Sequence, residues 1–229
     1  MKMSLARLAM IGAASMAAGL TVGAQPLTAP SAYEPRPPGP FYVIGDIGGD
    51  LLRNVNVRSA GMKASFDPGV RGDFGFGYQF VPFLAAEFGT GALWNRMHNT
   101  SAFFPGTTIE HADLYQVPFL ANLVCKIPFG QGFSGFIGVG GGGVVSELDL
   151  SDFDNGDFDR HRRSDSDLTF AYQGMAGLKF AITPDMEVDV GYKFLGTGTH
   201  TWFDHDAALY TSTGHVYSHS ILASFTWHF

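Results

Sequence analysis

Apolar and polar residues alternate over runs of nine or more, long polar connections take turns with short proline-containing ones, and no Asp, Glu, Lys or Arg falls on the apolar face of any run. Together these observations predict an all-β chain: a transmembrane, eight-stranded, antiparallel up-and-down β-barrel. Strict alternation marks a strand with one apolar and one polar face. A soluble strand runs about 5–6 residues, whereas a bilayer-spanning one needs about 9–11. One Lys or Arg on a lipid face near the midplane costs about 2–4 kcal/mol, so the placement of charge separates a barrel from a soluble sandwich. The second face of a sandwich would meet water and be denser in Lys and Glu. Here it holds glycine, small hydroxyl residues and a few charges of both signs, which suits the narrow filled interior that eight strands enclose.

The N-terminus has the parts of an export signal. Lys2 and Arg7 supply positive charge, Leu8 to Leu20 a short apolar run, and Val22-Gly23-Ala24 a small-residue site with cleavage expected after Ala24. That run is shorter than the roughly 20 residues of a spanning helix. No later stretch is long and apolar enough, so a membrane-bound mature chain must cross as a closed barrel. Residues 25–39 carry Pro26, Pro30, Pro35, Pro37 and Pro38, and read as an extended periplasmic lead-in before a barrel over 40–229.

The strands follow in order. The first starts near Phe41, with Phe41, Val43 and Ile47 opposite Tyr42, Ile44 and Asp46, and Leu51 to Pro68 reads as a polar loop. The second sets Val70, Phe74, Phe76, Tyr78 and Phe80 against Arg71, Asp73 and Gln79, and turns at Pro82. The third sets Leu84, Ala86, Phe88 and Trp94 against Glu87 and Asn95, before a polar loop from Arg96 to Asp113. In the fourth, Tyr115, Val117, Phe119, Ala121 and Leu123 oppose Gln116, Leu120, Asn122 and Lys126, and Pro128 marks a turn.

The fifth, Gly132 to Ser146, is glycine-dense, which suits bending and makes room for inward side chains of neighbours. A phosphate-cradling loop would need a helix to follow, and Val144-Val145 continues as strand. An acidic loop spans Glu147 to Asp167. The sixth sets Leu168, Phe170, Tyr172, Leu178 and Phe180 against Thr169, Gln173, Met175 and Lys179, with a turn at Pro184. The seventh sets Met186, Val188, Val190, Tyr192 and Phe194 against Glu187, Asp189 and Lys193. A last loop over 196–214 leads to the eighth, with Tyr217, His219, Ile221, Ala223, Phe225, Trp227 and Phe229 on its apolar face.

An even strand count puts both termini on the side of the short turns. Aromatics such as Tyr78, Phe80, Phe180, Tyr192 and Trp227 gather toward strand ends, where interface girdles belong. A net charge of -7 argues against a nucleic-acid binder. Cys125 is the single cysteine, which excludes an intramolecular disulfide.

The closing strand resembles the C-terminal assembly signal of bacterial outer-membrane proteins through Phe225, Trp227 and Phe229, with Ser224 and Leu222 departing from the usual pattern. The resemblance implies delivery to the barrel-assembly machinery. Gly75 to Tyr78, Glu87, Val117 to Leu123, the glycine-rich fifth strand, Gly191 to Phe194 and terminal Phe229 resemble, in this order, the eight-stranded outer-membrane β-barrel family of OmpA/OmpX-like and opacity-type surface proteins. That resemblance implies an integral outer-membrane location, contact with outer-membrane lipids and lipopolysaccharide, and a likeness to porins in wall rather than in activity. One barrel hosts many functions in its loops.

The main site candidate is a lumen charge network of Asp46, Arg71, Asp73, Glu87, Lys126, Lys179, Glu187, Asp189 and Lys193. It reads as a salt-bridge plug, because eight strands leave room for side chains alone. The alternative is a small channel for ions or small solutes lined by Asp73, Glu87, Lys179, Asp189 and Lys193. Asp152 to Gly156 looks superficially like a calcium loop, but Gly156 comes fifth where the motif needs the sixth position. Arg160, Arg162 and Arg163 in the same loop could meet lipopolysaccharide phosphates. Scattered histidines (His98, His111, His161, His200, His205, His215, His219) form no zinc spacing.

A lipid A-modifying enzyme is the third reading. His219-Ser220 would have to serve it, yet adjacent strand residues point to opposite faces and no acid of matching register is evident. The expectation is a monomeric non-enzyme without cofactor or metal, whose external loops serve envelope integrity, adhesion or contact with a host or extracellular ligand.

Overall fold

The computed structural model describes residues 39–58, 62–98, 108–130, 132–154, 161–202 and 211–229. The export signal, its cleavage after Ala24 and residues 25–38 of the lead-in lie outside them. Among the described residues ten strands are present: β1 Phe41–Leu52, β2 Val55–Val57, β3 Met62–Ala64, β4 Gly69–Val81, β5 Leu84–Arg96, β6 Thr108–Gly130, β7 Phe133–Asp154, β8 His161–Thr183, β9 Met186–Trp202 and β10 Thr211–His228. Eight of them form an antiparallel wall in the order β1-β4-β5-β6-β7-β8-β9-β10, and β1 pairs with β10 from Tyr42 opposite His228 to Leu52 opposite Ser218. The sheet therefore closes and leaves no edge along the wall. Strands β2 and β3 form a hairpin beyond the ring, attached to β10 where Val57 meets Thr213.

Both ends of the barrel chain sit at the lower rim, where the Phe229 amide donates to the Phe41 carbonyl. The lower turns are short. Between β6 and β7 the chain reverses through Gly130 and Gly132 at φ 99° and 77°, a left-handed backbone that glycine adopts without strain. Inward glycines on the wall serve close approach instead. A Cβ on Gly77 would lie 2.1 Å from the Tyr42 ring, and one on Gly140 would lie 1.9 Å from Asn122 Oδ1.

Strand length is where the sequence expectation needs correction. β6, β7 and β8 have 23, 22 and 23 residues. At about 3.3 Å per residue and a tilt of about 40°, such strands stand about 55 Å tall, twice the apolar band of about 25 Å that a membrane requires. Most of the expected upper loops are thus strand. Thr108–Asp113 belongs to β6, Glu147–Asp154 to β7, His161–Asp167 to β8, Gly196–Trp202 to β9 and Thr211–Gly214 to β10. The expected polar loop from Leu51 to Pro68 includes the end of β1 and the β2–β3 hairpin, which buries Val55, Val57 and Ala64. Both flanking regions can pair backbone groups in water as well as in lipid, so nothing stops the wall from continuing above the membrane.

The outward face over the lower half is apolar and exposed: Ile47, Val70, Phe88, Val139, Phe170, Val190 and Ile221 are among its most exposed large side chains. No Asp, Glu, Lys or Arg interrupts this band among the described residues. The inward face of the same stretch carries the charges beside a small apolar cluster of Val124, Phe136 and Met175, and higher up it turns mainly apolar. Leu93, Leu120, Val144, Ala171 and Leu195 form a buried ring across the lumen. Above them Leu52, Val55, Val57, Ala64, Met97, Ala112, Leu114, Leu148, Trp202 and Val216 form an apolar core under the hairpin.

Candidate functional site

All nine charges expected in the lumen lie on inward positions, and they fall into two ion-pair clusters plus one separate acid. In the upper cluster Lys193 pairs with Asp46 and, at 2.9 Å, with Asp73, whose carboxylate also meets Arg71 Nε at 3.0 Å. Arg71 then donates to Gln173 Oε1 at 2.6 Å and to Ser220 Oγ at 3.2 Å. In the lower cluster Glu187 takes Lys126, Lys179 at 3.4 Å and the His228 ring at 3.6 Å, while Lys179 lies 3.7 Å from Asp189, beyond hydrogen-bond reach. Glu87 joins neither cluster by an ion pair; it accepts from Tyr42 Oη at 2.7 Å.

These pairs are buried, so each charge depends on its partner. Removing one leaves another in a medium where an unpaired ion is strongly destabilising. Among the described residues two small cavities, of about 30 and 20 Å³, are both bordered by Asp46, Glu87 and Lys193. Each has room for a water molecule and none for a solute.

Several members of this network escaped the sequence reading. Asp50 is buried and accepts from Ser218 and, at 2.7 Å, from Ser220. It shares the parity of Asp46, so carrying the first strand four residues further would have found it. The same contact corrects the expectation that no acid of matching register stands near Ser220. The enzyme reading of His219-Ser220 still fails on geometry, because Ser220 is buried inside whereas His219 lies outside against Tyr192, whose hydroxyl is 2.6 Å from His219 Nδ1.

An acid–imidazole–hydroxyl relay does occur, at the outer end of the lumen. Asp167 Oδ2 lies 3.1 Å from His200 Nδ1, and His200 Nε2 lies 2.9 Å from Thr197 Oγ1. The order is that of a nucleophilic triad. Thr197 and His200 are 1% and 0% exposed, so no substrate carbonyl reaches the hydroxyl. The relay instead fastens β8 to β9 and seats His200 flat on Trp202, with ring centroids 5.0 Å apart. Gly196 pairs with Tyr217, ten residues above Trp227 on β10. At about 3.3 Å per residue and a tilt of about 40° that is the height of the apolar band, so His200, four residues further, lies above it. Burial pulls its imidazole below the ordinary value near 6.5, and Asp167 offsets part of that shift.

Among the described residues no three His, Cys, Asp or Glu side chains gather as metal ligands. His98 pairs with Asp67 at 3.0 Å on the surface, and His215 Nδ1 lies 3.0 Å from the Thr197 carbonyl. The side chains of Asp152 to Gly156, Arg160, Arg162, Arg163, His111, His161 and His205 lie outside the described residues. Cys125 is a half-buried free thiol.

Residues 9–229 match the family model of the outer membrane protein beta-barrel domain. No curated protein matches the chain in sequence. Among solved structures, Neisserial surface protein A superposes with a TM-score of 0.54 at 15% identity, covering 85% of this chain and 100% of its own. The outer membrane protein OprG from Pseudomonas aeruginosa superposes with a TM-score of 0.50 at 14% identity, covering 84% of this chain and 98% of its own. At such identities the likeness is one of fold.

Proposed function

The chain belongs to the outer membrane protein beta-barrel domain family, and from that premise we propose that it is an integral, monomeric protein of the bacterial outer membrane with a structural or surface-interaction role. Its external strands serve envelope integrity, adhesion or host contact. It is exported by the N-terminal signal, cut after Ala24, and delivered to the barrel-assembly machinery through Phe225, Trp227 and Phe229. Residues 25–39 form the periplasmic lead-in.

The observation that carries this reading is the filled interior. Two ion-pair clusters, an apolar ring and an apolar core under the hairpin follow one another up the lumen, and the two cavities beside Asp46, Glu87 and Lys193 are about 30 and 20 Å³. Such an interior does not serve passage of solutes. It stiffens a cylinder whose upper half then projects from the membrane as a pre-ordered surface, which lowers the entropic cost of binding a partner. The buried relay at Thr197 gives no support to catalysis.

Pure protein in planar bilayers tests the proposal: it is expected to show no steady conductance. A sustained single-channel current from the unmodified chain would replace the structural reading with the channel one.

A further inference from the structure

Among the Lys and Arg residues whose side chains are described, Arg71, Arg96, Lys126, Lys179 and Lys193 each have a carboxylate partner. Arg53, Arg58 and Lys63 have none among the described residues, and all three are exposed. They lie on one short stretch, 51–66, that contains no Asp or Glu in a chain of net charge -7. The hairpin is two-faced: Val55, Val57 and Ala64 point into the apolar core, while Asn56, Arg58 and Lys63 point out. Three cations without a partner among the described residues, displayed by an apolar-backed hairpin, call for an anionic partner.

Position along the wall says which one. The Arg53 amide donates to the Tyr217 carbonyl and the Arg58 amide to the Ser212 carbonyl, so the cations climb the edge of β10 from the level of Tyr217 upward. Tyr217 is ten residues above Trp227 on β10. At about 3.3 Å per residue and a tilt of about 40° that is about 25 Å, the height of the apolar band. Arg53 therefore stands at the outer lipid boundary, with Lys63 and Arg58 just above it.

On the adjoining outward face lies an aromatic strip. Phe194 contacts Tyr172 at 6.0 Å, Tyr217 at 5.9 Å and His219 at 5.4 Å between ring centroids. Tyr192 Oη lies 2.6 Å from His219 Nδ1, which holds the imidazole in the strip. Flat rings suit sugar faces, and cations suit phosphates.

Resting on the outer-membrane reading above, we infer that β9, β10 and the β2–β3 hairpin together form a binding surface for the phosphorylated saccharide headgroup of an outer-leaflet glycolipid. Arg53, Arg58 and Lys63 take its phosphates, and the strip from Tyr172 to His219 takes its sugars.

The test uses the full mature chain refolded into phosphatidylcholine vesicles containing a few per cent of bisphosphorylated or monophosphorylated lipid A, with native mass spectrometry of the lipid retained by the barrel. The wild type is expected to retain the bisphosphorylated form preferentially, and less of it as salt rises. The R53Q/R58Q/K63Q variant is expected to lose about tenfold in retention, while heat-modifiable gel migration shows its barrel intact. Tyr217→Leu with His219→Leu should lower retention of both forms alike.

Equal retention by wild type and the triple variant would overturn the site. So would binding of soluble dextran sulfate by the wild type with no preference for lipid A. Failure of the wild type to enter any vesicle would overturn the membrane reading itself, and the site with it.

Discussion

The lower and upper halves of this barrel are built from the same eight strands with opposite sidedness. Below, the wall is apolar outside and charged inside: on β9 Val190 and Tyr192 face out while Glu187, Asp189 and Lys193 face in. Above, the inside is apolar and the outside polar: Leu195 and Trp202 are buried while Thr199 and Thr201 are exposed. The other strands follow suit. Inward Asp46 and Asp50 give way to Leu52 on β1, and outward Leu168 gives way to exposed Ser166 and Ser164 on β8. The backbone does not distinguish the halves. The medium does, because hydrocarbon selects apolar outer side chains and water selects polar ones, and the interior takes what is left.

This contrast can be broken most severely from below. Lys193→Met leaves Asp46 and Asp73 buried beside an apolar side chain, a loss of about 3–5 kcal/mol in urea unfolding from vesicles. Adding Asp46→Asn alone, which leaves the buried Arg71–Asp73 pair intact, should restore much of it. A smaller effect is expected from charge on the outer wall: Val139→Arg should cost about 2–4 kcal/mol at mid-membrane, whereas Ser166→Arg should stay within about 0.5 kcal/mol. Equal costs at the two positions would erase the boundary drawn here.

The apolar core above comes next. Leu148→Ala should cost about 2 kcal/mol or more, read as faster amide exchange in the upper strands alone, with the membrane-embedded pairs unchanged. The smallest effect is protonic. His200 has a folded-state pKa held below its unfolded value, so it stays neutral in the native fold, and its contribution is present above about pH 6.5 and lost as pH falls through the lower folded value. Protection of the upper β8 and β9 amides, corrected for intrinsic exchange, should therefore fall between pH 7 and pH 5, and His200→Gln should abolish that fall.

How much of this was legible follows from the same contrast. Alternation located every wall strand wherever lipid enforces it, and it put all nine lumen charges on inward positions. It failed above the membrane because polarity changes sides there, and on β9 the inward parity also slips between Thr197 and His200. At the crossing, adjacent Leu51 and Leu52 are both apolar, one facing out and the other in, so the pattern reads as loop. β10 adds register shifts against β9 between Ser212 and Tyr217, which break the period where the last strand enters the upper half. His200, Asp167 and Trp202 were hidden for that reason. The hairpin cations without a partner among the described residues were invisible because only the fold shows which charges have partners.

Depth-resolved spin labelling tests the central claim most directly. In a Cys125→Ser background, single cysteines at Val139, Val190 and Ile221 and at Ser164, Ser166 and Thr201 would carry nitroxides in vesicles. The account predicts that the first three collide with oxygen and are shielded from aqueous nickel complex, and that the last three show the reverse. Equal nickel access at all six would contradict it, since hydrocarbon would then surround no part of the wall.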